Sequence, residues 1–139
     1  MPVEIECRPY GPDCTPEELE AIRARVSWFE DGIIVLRETP IQTPFSTKCI
    51  FKRIRELVGD KPFLLLIDLC EAKRPSAEVR HVLSTEFARL SGVQRVAVFM
   101  ELNLILRAAA RFVLSGMMQG ATFHKTEKEA LEKLRHGSY

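Results

Sequence analysis

The chain of 139 residues lacks the features that mark membrane and secreted proteins. No apolar run approaches the roughly 18 residues needed to cross a bilayer, and the densest runs, residues 63–67 and 96–100, have the length of strands. The first residues do not show the basic and then apolar order of a secretion signal. We therefore expect a cytoplasmic protein with no integral membrane segment.

Glycine is scarce, with 7 residues, and the glycine-rich motifs of common enzymes are missing. The patterns G-x-G-x-x-G, G-x-x-x-x-G-K and G-x-S-x-G do not occur. Nucleotide binding and serine hydrolysis by those routes are therefore unsupported. Apolar residues make up 46% and charged residues 28%, which is the balance of one folded globular domain.

The sequence also lacks the spacing of a metal site. Its four cysteines form no C-x-x-C pair, and none of its three histidines has a cysteine or carboxylate at metal-ligand spacing. We expect no cofactor and no metal. Cys49 and Cys70 fall among apolar neighbours and are interpreted as small core residues.

Charge of one sign does not dominate the chain, whose formal net charge is +1. This value gives no reason to expect nucleic-acid binding. The acids are nevertheless concentrated in the first 31 residues, which hold eight acids and three bases. We interpret residues 1–23 as an irregular acidic leader, with a short helix beginning at Thr15-Pro16, and residues 24–139 as one domain.

Strands and helices then alternate. Asp31-Gly32 between two β-type runs predicts a hairpin of residues 25–30 and 33–38, with positive φ at both turn positions. Residues 63–69 form a continuous apolar run, which is typical of a strand buried on both faces. The order β-β-α-β-α-β-α-β-α predicts an α/β fold with a mostly parallel central sheet and helices packed on it. The remaining elements are a helix from Thr43-Pro44 to Gly59, a helix from Ser76 to Gly92, a strand over 95–100, a helix over 102–116, a short strand over 121–124, and a final helix opened by Thr126.

The helix predicted over residues 102–116 has more apolar surface than one sheet face requires. Leu102, Leu106 and Leu114 are the candidate interface residues. A second subunit, giving a homodimer, or an apolar ligand held between the third and fourth helices would cover this surface. Coverage within the monomer is the alternative.

This element order resembles the STAS domain, and more closely the SpoIIAA-like or STAS/SEC14-like family of small bacterial proteins. The segments that carry the resemblance are residues 28–35, 65–69, 95–99 and 123–131. The resemblance covers residues 24–136 and implies a non-enzymatic module that binds a regulatory partner or a small ligand. It implies no catalytic residues.

The loop after the central strand departs from that family. The SpoIIAA-type anti-sigma-factor antagonists of that family carry an Asp-Ser-Ser/Thr-Gly signature, whose serine is phosphorylated by a partner kinase. This chain has one serine there, Ser76, near Lys73 and Arg74. Phosphate at a helix start would gain from exposed N–H groups and from these two cations. The alternative is that Ser76 only caps the helix.

Ligands of open α/β sheets bind beyond the carboxyl ends of parallel strands. The residues that this rule places at one rim are Asp68, Glu71, Lys73, Arg74, Ser76 and Asn103, with Arg80 and Arg107 on the first or second turns of the following helices. We therefore expect a regulatory or binding module that acts through protein association, with binding of an apolar, lipid-like ligand as the alternative. A small thiol enzyme using Cys70 is the weakest hypothesis, since Pro75 removes an N–H and no glycine lets the loop curl around an anion.

Overall fold

The computed structural model describes residues 7–100 and 121–136 of the chain. In this part, four helices and five strands form an α/β structure, so the predicted class is confirmed. No helix within the described ranges has the length and apolar character needed to span a membrane. In chain order the elements are α1 (Pro16–Arg23), β1 (Val26–Glu30), β2 (Ile33–Arg37), α2 (Pro44–Val58), β3 (Phe63–Asp68), α3 (Ala77–Arg89), β4 (Val93–Phe99), β5 (Thr122–His124) and α4 (Glu127–His136).

The five strands form one mixed sheet in the order β1-β2-β3-β4-β5. β1 is antiparallel to β2, and the three other pairs are parallel. The apolar strand β3 therefore lies in the middle of the sheet, as its apolar run predicts. The predicted hairpin is confirmed, with slightly shorter strands.

The turn of the hairpin differs from the sequence prediction. Of the two turn residues, Gly32 has a positive φ, of 86°, and Asp31 does not. The expectation of a positive φ at Asp31 is therefore wrong. The register between the strands shifts between Trp28 and Glu30, as at a bulge or a similar irregularity. A bulge changes the local twist of the strands, so this hairpin need not close with positive φ at both turn positions.

The two faces of the sheet are covered by different helices. Side chains alternate between the faces along each strand, so neighbouring residues enter different cores. On one face Ile34, Leu65 and Val98 pack in a cluster with residues of α1, α2 and α3. On the other face Val35, Leu66, Ala97 and Phe99 pack against Ala130, Leu131 and Leu134 of α4.

The segment predicted as an acidic leader contributes to the first of these cores. α1 packs against α2, and Tyr10 and Ile22 are almost completely buried. Within residues 7–23 the chain is thus part of the domain. Periodicity does not reveal this, because only two side chains of this segment are fully buried, and they are twelve residues apart.

Local signals at the helix starts are confirmed. Thr15, Thr43 and Ser76 are the N-caps of α1, α2 and α3, and Pro16 and Pro44 follow at the first helical position. At the start of α4 the Glu129 amide donates to the Thr126 hydroxyl at 3.2 Å.

Two boundaries differ from the expectation by two residues or more. α3 ends at Arg89 instead of Gly92, and β4 begins at Val93 instead of Arg95. Gly92 lies in the turn between the two elements with φ 86°. There a Cβ would lie 2.9 Å from the Lys61 carbonyl oxygen, so the glycine allows a close approach of two backbones.

The interpretation of Cys70 as a core residue is wrong, because its side chain is exposed. β3 ends at Asp68, so Cys70 lies beyond the buried part of the strand. Cys49 is partly buried and packs against the core, as expected, and burial raises the pKa of its thiol.

The predicted third helix over residues 102–116 lies outside the described residues. The same is true of the residues predicted on this helix. They are the candidate interface residues Leu102, Leu106 and Leu114 and the rim residues Asn103 and Arg107.

Candidate functional site

The candidate site lies at the carboxyl ends of β2 and β3, where ligands of open α/β sheets bind. Arg37 and Asp68, the last residues of the two strands, are register partners. The chain continues from β2 through residues 38–43 to α2. From β3 it continues through residues 69–76, which we call the rim loop, to α3.

Arg37 forms the first ion cluster at this edge. One nitrogen of its guanidinium donates to Asp68 Oδ2 at 2.6 Å, and another donates to Glu127 Oε1 at 3.1 Å. Burial alone would lower the pKa of the Arg37 guanidinium, but the hydrogen bonds and charges of the two carboxylates outweigh it and raise the pKa. This cluster joins the ends of two strands to the start of α4.

Arg25 forms the second cluster. Its Nη2 donates to the Glu38 carbonyl oxygen at 2.9 Å and to the Glu71 carboxylate at 2.7 Å. Arg25 precedes β1, Glu38 follows β2, and Glu71 belongs to the rim loop. One guanidinium therefore connects three segments that are far apart in sequence.

The Glu38 side chain is the most unusual group of the site. Only 4% of the residue is exposed, and burial raises the pKa of its carboxyl from 4.5 to about 7. The charge of Arg25 and a hydrogen bond from the Thr39 amide oppose this shift without cancelling it. Near neutral pH this carboxyl is therefore divided between its protonated and ionised forms.

Two buried atoms of the same cluster have no hydrogen-bond partner within the described structure: Oε2 of Glu38 and Nε of Arg25. The first is an acceptor and the second a donor, and buried groups of this kind are nearly always paired in folded proteins. The Arg25 guanidinium is close enough to act on the Glu38 carboxyl by charge. The two unpaired atoms are thus a complementary donor and acceptor, on residues already joined by the bond from Arg25 Nη2 to the Glu38 carbonyl oxygen.

The rim loop is fixed at both ends. At its start the Cys70 amide donates to Asp68 Oδ1 at 2.9 Å. In its middle the Lys73 amide donates to the Pro40 carbonyl oxygen at 2.9 Å. At its end Ser76 accepts from the Val79 amide at 3.1 Å, which confirms the capping role.

The structure divides the predicted rim residues into two groups. Asp68 and Glu71 take part in the two ion clusters, whereas Lys73, Arg74 and Ser76 are exposed on the loop. Arg80 donates to the Pro75 carbonyl oxygen at 3.2 Å and so supports the loop from α3. The exposed charged residues of the rim loop are therefore Glu71, which pairs with Arg25, and the two cations Lys73 and Arg74, which lie next to a serine at a helix start.

Sequence reasoning missed Arg25, Arg37, Glu38 and Glu127. A signal for two of them existed, since Arg37-Glu38 follows the buried run of β2 just as Asp68 ends the run of β3. No signal pointed to Arg25 or Glu127, because their partners lie 46 and 90 residues away along the chain.

The geometry of the edge permits proton exchange and recognition of charged groups. Glu38 can take up or release a proton near neutral pH, and the rim loop presents cations on a fixed backbone. Between residues 7 and 100 and between 121 and 136, no three side chains of the metal-ligating types come together. His124 pairs with the Thr122 hydroxyl at 2.8 Å, and burial lowers its pKa.

Compared with protein-family models, with curated proteins and with solved structures, the chain matches none of them.

Proposed function

We propose that the protein is a STAS-like regulatory module that works in the cytoplasm by binding a protein partner through the rim loop, without catalysing a reaction. The observation that carries this proposal is the form of the loop. Its Cys70 and Lys73 amides are hydrogen-bonded and the Ser76 hydroxyl caps α3, while the side chains of Lys73, Arg74 and Ser76 remain exposed. A held backbone with exposed charged side chains is typical of a recognition loop on a rigid scaffold.

The charges of the loop favour an acidic partner surface. Glu71 is held by Arg25, and Asp68 by Arg37, so their negative charges are partly neutralised. Lys73 and Arg74 then provide the outward charge of the loop. Complementary charges steer association and select partners more than they add affinity.

The test compares the wild-type chain with a variant in which both loop cations are reversed, Lys73→Glu and Arg74→Glu. A matched control reverses Lys48 and Lys52, which are exposed on α2 and give the same change in net charge. Each tagged chain is used to capture proteins from cells that produce it, and the captured protein is then purified for titration.

We expect the wild type and the control to retain the same partner, and the loop variant to bind it at least about tenfold more weakly. Equal binding by all three chains would show that the loop is not the surface. Capture no greater than that of an unrelated tagged protein would overturn the proposal, as would turnover that depends on Cys70.

Self-association through residues 102–116 stays a separate prediction, since those residues lie outside the described structure. Light scattering at tens of micromolar protein tests it, and a strict monomer would contradict it.

A further inference from the structure

The Arg25 guanidinium lies where two carboxyl groups can compete for it. On one side is Glu71 of the rim loop, with 66% of its side chain exposed. On the other side is the buried Glu38, whose main-chain carbonyl already accepts from Arg25. Arg25 itself is mostly buried, with 20% of its side chain exposed, so its movements are confined to this cluster.

Protonation of Glu38 changes the balance between these two partners. A neutral Glu38 carboxyl attracts the Arg25 guanidinium only weakly. Arg25 then pairs with the Glu71 carboxylate, as in the structure. An ionised Glu38 would have a buried negative charge with one oxygen unpaired. Arg25 is the cation whose charge acts on this carboxyl, and its Nε is a buried donor without a partner.

We propose that protonation of Glu38 determines which carboxylate Arg25 holds, and through Arg25 how firmly the rim loop is held against the end of the sheet. With Glu38 protonated, Arg25 holds Glu71 and the loop is fixed. With Glu38 ionised, Arg25 is drawn inward, Glu71 loses its partner and the loop opens more often. The loop is the binding surface of the proposed function, so this device would make partner binding depend on pH.

Among the described residues, Arg25 is the charged group that acts on the Glu38 carboxyl. On β3 the Asp68 carbonyl accepts the Glu38 amide, while the Asp68 carboxylate is occupied by Arg37. The first turn of α2 contains no acid, and its buried polar residues are the hydroxyl-bearing Ser46 and Thr47.

Two amides report directly on the loop. The Ala72 amide donates to the Leu69 carbonyl oxygen at 3.1 Å, and the Lys73 amide donates to the Pro40 carbonyl oxygen at 2.9 Å. The Lys73 bond joins the loop to the segment after β2 and must break when the loop opens, whereas the Ala72 bond closes a turn inside the loop and breaks when that turn unfolds. Hydrogen exchange of the full chain, followed by mass spectrometry and corrected for intrinsic exchange rates, therefore measures how firmly the loop is held.

The measurement compares about pH 6 with about pH 8, one unit on either side of the Glu38 value. In the wild type we expect the protection of the two amides to be about fivefold lower at the higher pH, as for the loss of one partly exposed ion pair. Glu38→Gln, which imitates the neutral carboxyl, is expected to keep high protection at both values.

Glu71→Gln is expected to show low protection at both pH values, because the loop has lost its tie to Arg25. The matched control is Glu127→Gln, which removes a carboxylate from the same edge but from the Arg37 cluster, and it should retain the wild-type pH dependence. Protection independent of pH in the wild type, or a pH dependence that persists in Glu38→Gln, would overturn the proposal.

A second measurement keeps the proposal testable if Glu38→Gln does not fold. Carboxyl carbon resonances of the wild type and of Glu71→Gln give the titration midpoint of Glu38 in each chain. The midpoint should fall when Glu71 is neutralised, because Arg25 is then released to the Glu38 carboxylate. An unchanged or higher midpoint would contradict the competition. Neither the hydrogen-exchange measurement nor the titration requires the protein partner. A negative result in them would therefore contradict the competition for Arg25 without contradicting the rim loop as a binding surface.

Discussion

Arg37 and Asp68 are register partners at the ends of two parallel strands, and their side chains are joined by a hydrogen bond of 2.6 Å. Asp68 is only 15% exposed at its side chain, and its other oxygen accepts from the Cys70 amide. One carboxylate therefore connects β2, β3 and the rim loop. Its position at the edge follows from strand pairing and not from any local motif.

Replacing this carboxylate should cost more stability than replacing the second partner of Arg37. We expect Asp68→Asn to lower the free energy of unfolding by about 1 kcal/mol, since a partly buried charged hydrogen bond is lost. Glu127→Gln should cost about 0.5 kcal/mol or less, because Glu127 is 38% exposed and its bond is longer, at 3.1 Å. Urea unfolding at neutral pH measures both values, and equal costs would contradict the assignment.

Stability should fall with rising pH because of Glu38. Its pKa is about 7 in the folded state against 4.5 as the ordinary value, so the folded state binds more protons between these values. The free energy of unfolding therefore decreases as pH rises through this window, by up to about 3 kcal/mol for this one group.

Glu38→Gln lacks this dependence. Urea unfolding from about pH 4.5 to about pH 8 should show the wild type losing stability relative to the variant over that window. Two parallel curves would show that Glu38 titrates normally.

Gly32 and Gly92 form a matched pair, since both have a φ of 86°. Alanine at either position suffers the strain of positive φ, about 1 kcal/mol. At Gly32 nothing lies within 4 Å of an added Cβ, whereas at Gly92 the Cβ would meet the Lys61 carbonyl oxygen. We expect Gly92→Ala to cost at least about 1 kcal/mol more than Gly32→Ala in urea unfolding. A smaller cost at Gly92 would mean that the two backbones separate easily.

Ser76 separates a structural role from a regulatory one. Its hydroxyl caps α3, so Ser76→Ala should lower the free energy of unfolding by about 1 kcal/mol. Aspartate is also a good N-cap, and Ser76→Asp should keep nearly wild-type stability in thermal unfolding. Loss of partner binding by Ser76→Asp alone would then indicate a phosphorylation switch, whereas a large fall in Tm would show that the position is structural.

The elements of the fold were predictable wherever the signal was local. Thr43-Pro44 and Ser76 define helix starts through capping, and residues 63–69 define a buried strand through continuous apolarity. For the candidate site, the sequence predicted its position at the carboxyl ends of the parallel strands and the residues of the rim loop, but not the partners of those residues. Asp68 and Ser76 were predicted because they lie at the end of a strand and at the start of a helix. The burial of Cys70 was predicted wrongly, because the sequence does not show at which residue the strand ends.

The sequence by itself determined the class of the fold, the central strand and the helix caps, because these depend on side chains that are neighbours along the chain. Only the tertiary structure decided that Arg25, Glu38 and Glu71 form one cluster, and that Glu38 titrates near neutral pH. A pKa depends on burial and on nearby charges from segments that are distant in sequence, and local sequence patterns predict neither.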